Sequence, residues 1–187
     1  MGFLSFGSKK DRMKKLIEEE RFDEAMRLGL KDRKALDGLF ELLDDPNPGI
    51  VGDALLLITN ILREKPSVLK GQMNPETFRR LVSLMESRNP YVRENAMLLA
   101  YEAVKRFPEL VSQNRKWIID VISRGLREGS KDQKGFLLIV AGELGLSELR
   151  PLIEELVNVE DKVVLPFEGK KWVKLGDIAK ETLERLA

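Results

Sequence analysis

The chain has 187 residues, 43% hydrophobic and 34% charged, and Lys+Arg (32) nearly cancels Asp+Glu (31) to leave a formal net charge of +1. That length and apolar share suffice for a buried core and exclude global disorder, while the balanced charge offers no general attraction to phosphate backbones. Cysteine and histidine are both absent, which removes disulfides, thiol nucleophiles and the commonest general base and metal ligand.

Many charges without cysteine make a thermophile-like composition. No apolar run approaches the roughly 20 residues that a membrane-spanning helix needs; Phe136 to Gly142 is the most continuous and far too short. The opening Met1-Gly2-Phe3-Leu4-Ser5-Phe6 is too brief and too glycine-interrupted for a signal peptide. Phe6 stands where a myristoylation pattern wants Ser or Thr. A cytoplasmic protein is the expectation.

Met13, Leu16 and Ile17, then Phe22, Ala25, Met26 and Leu28, predict two short helices joined near Glu20-Arg21. With the tail they form an N-terminal cap, 1–31, over the first of a series of repeats. Leu36, Leu39, Phe40 and Leu43 recur at i, i+3, i+4 and i+7, the stripe of an amphipathic helix. Asn47-Pro48 then opens a second helix carrying Ala54-Leu55-Leu56-Leu57-Ile58 and ending at Lys65-Pro66. Asn serves as N-cap, and Pro is preorganised for the first helical position.

The same landmarks return 42 residues later. Asn89-Pro90, Ala96-Met97-Leu98-Leu99-Ala100 and Phe107-Pro108 repeat the second helix; Leu81, Leu84 and Met85 fall on Leu39, Leu42 and Leu43. Asn74-Pro75 opens the intervening first helix. A period in the low forties is that of two-helix solenoid units. Five consecutive apolar positions at 100° per residue cover the circumference, so these second helices must be enclosed on nearly all sides by neighbouring repeats. Leu, Ala and Met dominate both runs, which favours helix over buried strand.

A third, degenerate unit follows: Trp117, Ile118, Val121 and Ile122 mark its first helix, and Phe136-Leu137-Leu138-Ile139-Val140-Ala141 its second, with a buried strand as the rival reading. Leu149, Leu152, Ile153, Leu156 and Val157 begin a fourth. It is interrupted by a small β-hairpin, about 162–175, turning at Phe167-Glu168-Gly169. Ile178, Ala179, Thr182, Leu183 and Leu186 close the chain as a helix. The expected organisation is one α-solenoid domain, 1–187, with repeats at 32–66, 74–108, 113–145 and 147–187.

The turn sequences carry a resemblance. Leu42-Leu43-Asp44-Asp45-Pro46-Asn47-Pro48-Gly49-Ile50-Val51-Gly52-Asp53-Ala54 and Leu84-Met85-Glu86-Ser87-Arg88-Asn89-Pro90-Tyr91-Val92-Arg93-Glu94-Asn95-Ala96 resemble the HEAT-repeat signature, roughly Leu-Leu-x-Asp-x-x-Pro-x-Val-Arg-x-x-Ala. The first copy has Val51 where the pattern has Arg, and the second has Ser87 where it has Asp. The resemblance covers 34–108 well and the remainder loosely. It implies an all-α, right-handed α-α superhelix of HEAT-like (armadillo-like) repeats, here with the hairpin inserted near the C-terminus. It also implies that Asp45 and Arg93 are rungs of an Asp–Arg ladder between repeats, a structural role.

Candidate chemistry is sparse. Asp44/Asp45, Glu154/Glu155 and Glu160/Asp161 are sequence neighbours that point different ways on a helix, so they make poor acid–base dyads. No Asp-x-Asp-x-Asp-Gly loop offers an oxygen cage for a cation, and Gly142 and Gly145 sit at a helix end without a phosphate-cradling motif. Neither a catalytic residue nor a cofactor nor a metal is expected. Basic clusters at Lys9, Lys10, Arg12, Lys14 and Lys15 and at Lys170, Lys171 and Lys174 read as solvated charge. Trp117 reads as core, whereas Trp172 in the hairpin is a candidate binding anchor.

Second helices of curved stacks commonly line the concave side. Their polar positions are therefore the candidate partner-binding residues: Asn60 with its equivalent Glu102, Arg63 with Lys105, and Arg93 and Asn95 one turn earlier. The expected function is a non-enzymatic scaffold or adaptor holding a protein partner. The alternative is an enzyme on nucleic acid, similar to the HEAT-like glycosylases for alkylated bases, to which Tyr101, Glu102 and Lys105 bear a faint likeness; the near-neutral charge weighs against nucleic acid as a partner. Peripheral membrane contact through the first fifteen residues is a third, lesser reading.

Overall fold

The computed structural model describes residues 7–165 and 172–187. The expected hairpin turn Phe167-Glu168-Gly169, the cations Lys170 and Lys171, and Met1 to Phe6 lie outside the described residues. Ten α-helices and one two-stranded sheet are present among the described residues, so the protein is all-α. The chain divides into two compact units, Met1–Arg106 and Phe107–Ala187.

The first unit is three helix pairs: α1 (Lys9–Glu18) with α2 (Phe22–Lys31), α3 (Arg33–Glu41) with α4 (Pro48–Glu64), and α5 (Pro75–Leu84) with α6 (Pro90–Arg106). Both second helices, α4 and α6, span 17 residues with ends 42 apart. Their starts are set by the expected caps: the Asn47 side chain accepts from the Gly49 N–H at 2.9 Å, and that of Asn89 from the Tyr91 and Val92 N–H groups at 3.0 and 3.2 Å. Asn74 does the same for α5 through Thr77 at 3.0 Å. Each cap satisfies donors that the first helical turn leaves without a partner, and the proline that follows has none to satisfy.

The most extensive packing in this unit is between α4 and α6. Ala54, Leu55, Leu57, Ile58, Ile61 and Leu62 of α4, and Ala96, Met97, Leu99, Ala100 and Ala103 of α6, are buried. Gly52 permits the close approach: a Cβ there would fall 2.1 Å from the Tyr91 ring. Enclosure is incomplete in one direction, because Leu56 is 40% exposed and its equivalent Leu98 is half-buried. The run covers the whole helix circumference, but neighbouring helices cover only part of it.

The N-terminal helices are a further pair of the same kind, for α1 packs on α3 and α2 on α4. Glu20, at φ 58°, turns the chain between them. Asp45 and Arg93, expected as ladder rungs, have other partners. Asp45 pairs with Lys14 of α1 at 2.9 Å, its side chain only 4% exposed, and accepts from the Asn47 N–H at 2.8 Å. Arg93 donates to the Ser87 carbonyl at 3.2 Å. With Ser87 in place of an acid, Arg93 finds a backbone acceptor in its own turn, and Asp45 is left to the cation that α1 supplies.

The second unit comprises α7 (Pro108–Glu128), α8 (Lys131–Glu143), α9 (Arg150–Glu154), β1 (Lys162–Val163), β2 (Val173–Lys174) and α10 (Leu175–Arg185). The segment Phe136 to Ala141 is helical, within α8, with Phe136, Leu137, Leu138, Val140 and Ala141 buried. α7 begins at Pro108 rather than near 113, and it kinks at Asn114 (φ −125°, ψ 17°), whose side chain donates to the Leu110 carbonyl at 2.8 Å. The kink separates the leading turn from the stripe that carries Trp117, which is half-buried. The expected hairpin strands pair antiparallel, Lys162 with Lys174 and Val163 with Val173.

Again the second helices, α8 and α10, lie together. The Thr182 hydroxyl is shared between the Leu138 carbonyl at 3.1 Å and the Ile178 carbonyl at 2.9 Å, and Arg185 meets Glu143 at 3.0 Å. Both ties step forward along the two helices together, so α8 and α10 run parallel.

Two outcomes follow from this packing. Leu99→Ala, at a fully buried position of α6, is expected to cost about 2–5 kcal/mol of stability by urea unfolding; a loss below about 1 kcal/mol would contradict close packing around α6. The Lys14 ammonium and the Asn47 N–H hold the Asp45 carboxyl below its ordinary value near 3.8. A depressed carboxyl contributes stability that is complete above that value and is lost as pH falls through the lowered one. Melting curves from pH 5 to 2 are therefore expected to fall less steeply for Asp45→Asn than for the parent chain.

Candidate functional site

The face left uncovered on α4 and α6 is the candidate site. Burial leaves one stripe of α4 facing outward, comprising Asp53, Leu56, Asn60 and Arg63; the matching stripe of α6 holds Leu98, Tyr101, Glu102 and Lys105. Two cross-links put these stripes side by side. The Tyr91 hydroxyl donates to Asp53 at 2.5 Å, and Arg63 Nη2 meets Glu102 Oε1 at 3.5 Å. Both steps run in the same direction, so α4 and α6 are parallel and their stripes share one surface.

Four of the expected residues, Asn60, Arg63, Glu102 and Lys105, are brought together on this surface. Glu102 is held from two sides, by Arg63 and by Arg106 at 3.6 Å. Lys105 Nζ lies 4.9 Å from the Tyr101 ring centroid, within cation–π range. The C-terminal end of the surface is thus cationic around one engaged carboxylate, its middle is apolar at Leu56 and Leu98, and its other end carries Asp53.

The remaining three expected residues stand elsewhere. Asn95 occupies the position equivalent to Asp53 but is buried at 8% exposure, its amide donating to the Tyr91 carbonyl at 2.8 Å. Arg93 is half-buried against its own turn. Trp172 belongs to the second unit and is 69% exposed, with the Lys131 ammonium 5.9 Å from its ring centroid.

Sequence reasoning missed Leu56, Tyr91 and Asp53. Leu56 was hidden inside an apolar run, although its spacing to Asp53, Asn60 and Arg63 (i−3, i+4, i+7) places all four on one helix face. Tyr91 is 40% exposed and has no counterpart in the first copy, where Gly49 stands. Burial, and then the Asp53 carboxylate, push the Tyr91 phenol up to about 12. It therefore acts as a hydrogen-bond donor rather than a proton acceptor. Among the described residues no cluster of three or more carboxylates could hold a metal ion. The surface can present apolar contact, two aromatic rings and paired charges.

Comparison with protein-family models and with curated proteins returns no match.

The Tyr91–Asp53 link has a defined pH signature. A phenol whose folded pKa is raised contributes stability in full below its ordinary value of 10.0 and loses it as pH climbs toward about 12. Tyr91→Phe is expected to abolish that alkaline loss and to lower neutral-pH stability by about 0.5–1.5 kcal/mol. Spectrophotometric titration of the parent chain should show a tyrosine ionising near pH 12 that Tyr91→Phe removes; a parent chain with no such late-ionising tyrosine would refute the link.

Proposed function

We propose that the protein is a non-enzymatic scaffold that binds a protein partner on the paired stripes of α4 and α6, and that its helix pairs are HEAT-like repeats in a right-handed superhelical arrangement. The observation that carries this reading is the uncovered seam. Two helices otherwise enclosed by neighbours leave Leu56, and in part Leu98, open to water between an acidic and a basic end. A rigid surface with an apolar centre and charged ends suits a protein ligand, since buried apolar anchors supply affinity and the flanking charges set orientation.

The repeat assignment is supported by the 42-residue spacing, by the three Asn-Pro caps and by the parallel pairing of second helices in each unit. The absence of histidine and cysteine, together with a Glu102 engaged by two arginines, supports binding rather than chemistry. No feature of the surface favours the glycosylase-like reading over this one.

The test uses the full chain as bait in its native extract, beside Leu56→Asp and Lys105→Glu variants whose helical circular dichroism matches the parent. A partner recovered by the parent and reduced about tenfold or more by Leu56→Asp is expected, the loss of one apolar anchor. Equal recovery by parent and variants would remove this face from the function. Salt-sensitive binding of duplex DNA to the parent would replace the scaffold reading with the nucleic-acid one.

A further inference from the structure

A second surface of the first unit has a different chemistry. The connection from α2 to α3 is the single residue Asp32, whereas that from α4 to α5 runs from 65 to 74. The longer connection folds back as a 3-10 turn, Pro66–Leu69, with Leu69 and Met73 buried. It is pinned by Gln72, whose amide donates to Asp37 of α3 at 2.7 Å. Between this turn and the α2–α3 corner lies an open depression of about 500 Å³.

Its charged lining is of one sign. Lys31 from the end of α2, Arg33 from the start of α3, and Lys70 from the connection all border it, with no Asp or Glu among the lining residues. None of the three cations is in an ion pair among the described residues. Several other cations of the same unit are paired: Lys9 with Asp32, Lys14 with Asp45, Arg63 with Glu102 and Arg80 with Asp44. Asp32, between two of the cations in sequence, is drawn to Lys9 and to the Lys34 and Ala35 N–H groups. The lining also includes the half-buried Val68, the edge of the buried Leu36, and Ser67.

We propose that this depression is a binding site for a small organic phosphate monoester. Three cations arriving from three separate elements suit a tetrahedral dianion, which offers oxygens in several directions, better than a planar monocarboxylate. The volume falls in the range of small-molecule sites, and the half-buried Val68 provides surface for an apolar group esterified to the phosphate. The site stands apart from the α4–α6 stripes and does not depend on their role.

Isothermal titration of the full chain at low salt with phenyl phosphate, benzoate and inorganic phosphate tests the site. Phenyl phosphate is expected to bind saturably and more tightly than the other two. Lys31→Glu and Lys70→Glu, both at exposed positions, are each expected to weaken it about tenfold or more, as loss and reversal of one charge-assisted contact. Lys105→Glu, on the α4–α6 stripe, is expected to leave it unchanged. No saturation by phenyl phosphate up to about 10 mM would overturn the proposal, and so would equal weakening by all three variants, which is the mark of diffuse charge. Inorganic phosphate binding as tightly as phenyl phosphate would overturn the assignment of an organic group beside Val68.

Discussion

The seam between α4 and α6 is the contact on which the first unit depends, because each helix is too apolar to tolerate water on more than one side. The two helices bury eleven apolar side chains between them and their other neighbours, and the bare backbone of Gly52 lets them approach closely; such burial is the dominant favourable contribution to folding. The seam also sets orientation. Its polar ties, Tyr91 to Asp53 near one end and Arg63 to Glu102 near the other, fix both the parallel sense and the register of the helices. An exposed ion pair contributes at most about 1 kcal/mol, so these ties select a register that apolar packing stabilises.

The second unit meets the same constraint with other residues. Its α8–α10 seam is tied by a buried hydroxyl, Thr182, that reaches across to a carbonyl of the facing helix. That bond costs nothing in unsatisfied donors, since the hydroxyl also serves its own helix at Ile178. Gly135 and Val163 bring β1 against α8, while the Leu175 and Gly176 N–H groups donate to the carbonyls of Asp161 and Val159 at 2.8 and 2.9 Å. The hairpin therefore anchors the start of α10 rather than standing apart from the helices.

What was legible in the sequence is what local chemistry decides. Asn-Pro pairs mark helix starts because capping involves only residues two or three apart, and all three caps form where the spacing puts them. Helix rather than strand at Phe136 to Ala141 was legible from its neighbours. Surface assignments fared differently, because they depend on which helix arrives where. Asn95 reads as a polar contact residue, yet a side chain that can bond its own i−4 carbonyl can be buried without an unsatisfied group. Leu56 reads as core, yet no helix arrives over it. Asp45 matches the Asp of a repeat signature, yet its partner comes from α1, which the signature does not include. Trp172 stands in a hairpin with little to cover it, and its ring is met by one ammonium from Lys131.

Unequal connections explain why open surface collects where it does. A one-residue link such as Asp32 leaves no main chain to spare, so the α2–α3 corner is shaped by helix ends alone. The connection of 65–74 has enough chain to bury Leu69 and Met73 as an anchor while directing Ser67 and Lys70 outward. Core packing determines the anchored residues; the outward ones are free to vary without disturbing α4 or α5. Recruiting Lys70 beside Lys31 and Arg33 sets like charges near one another at some electrostatic cost, which an anion in the depression would offset. The stripe of α4 and α6 has no such freedom, for every residue on it belongs to a helix whose other sides are enclosed. Its exposed positions are held in place by the core beneath them, and that rigidity is what suits it to present a fixed pattern of apolar and charged groups.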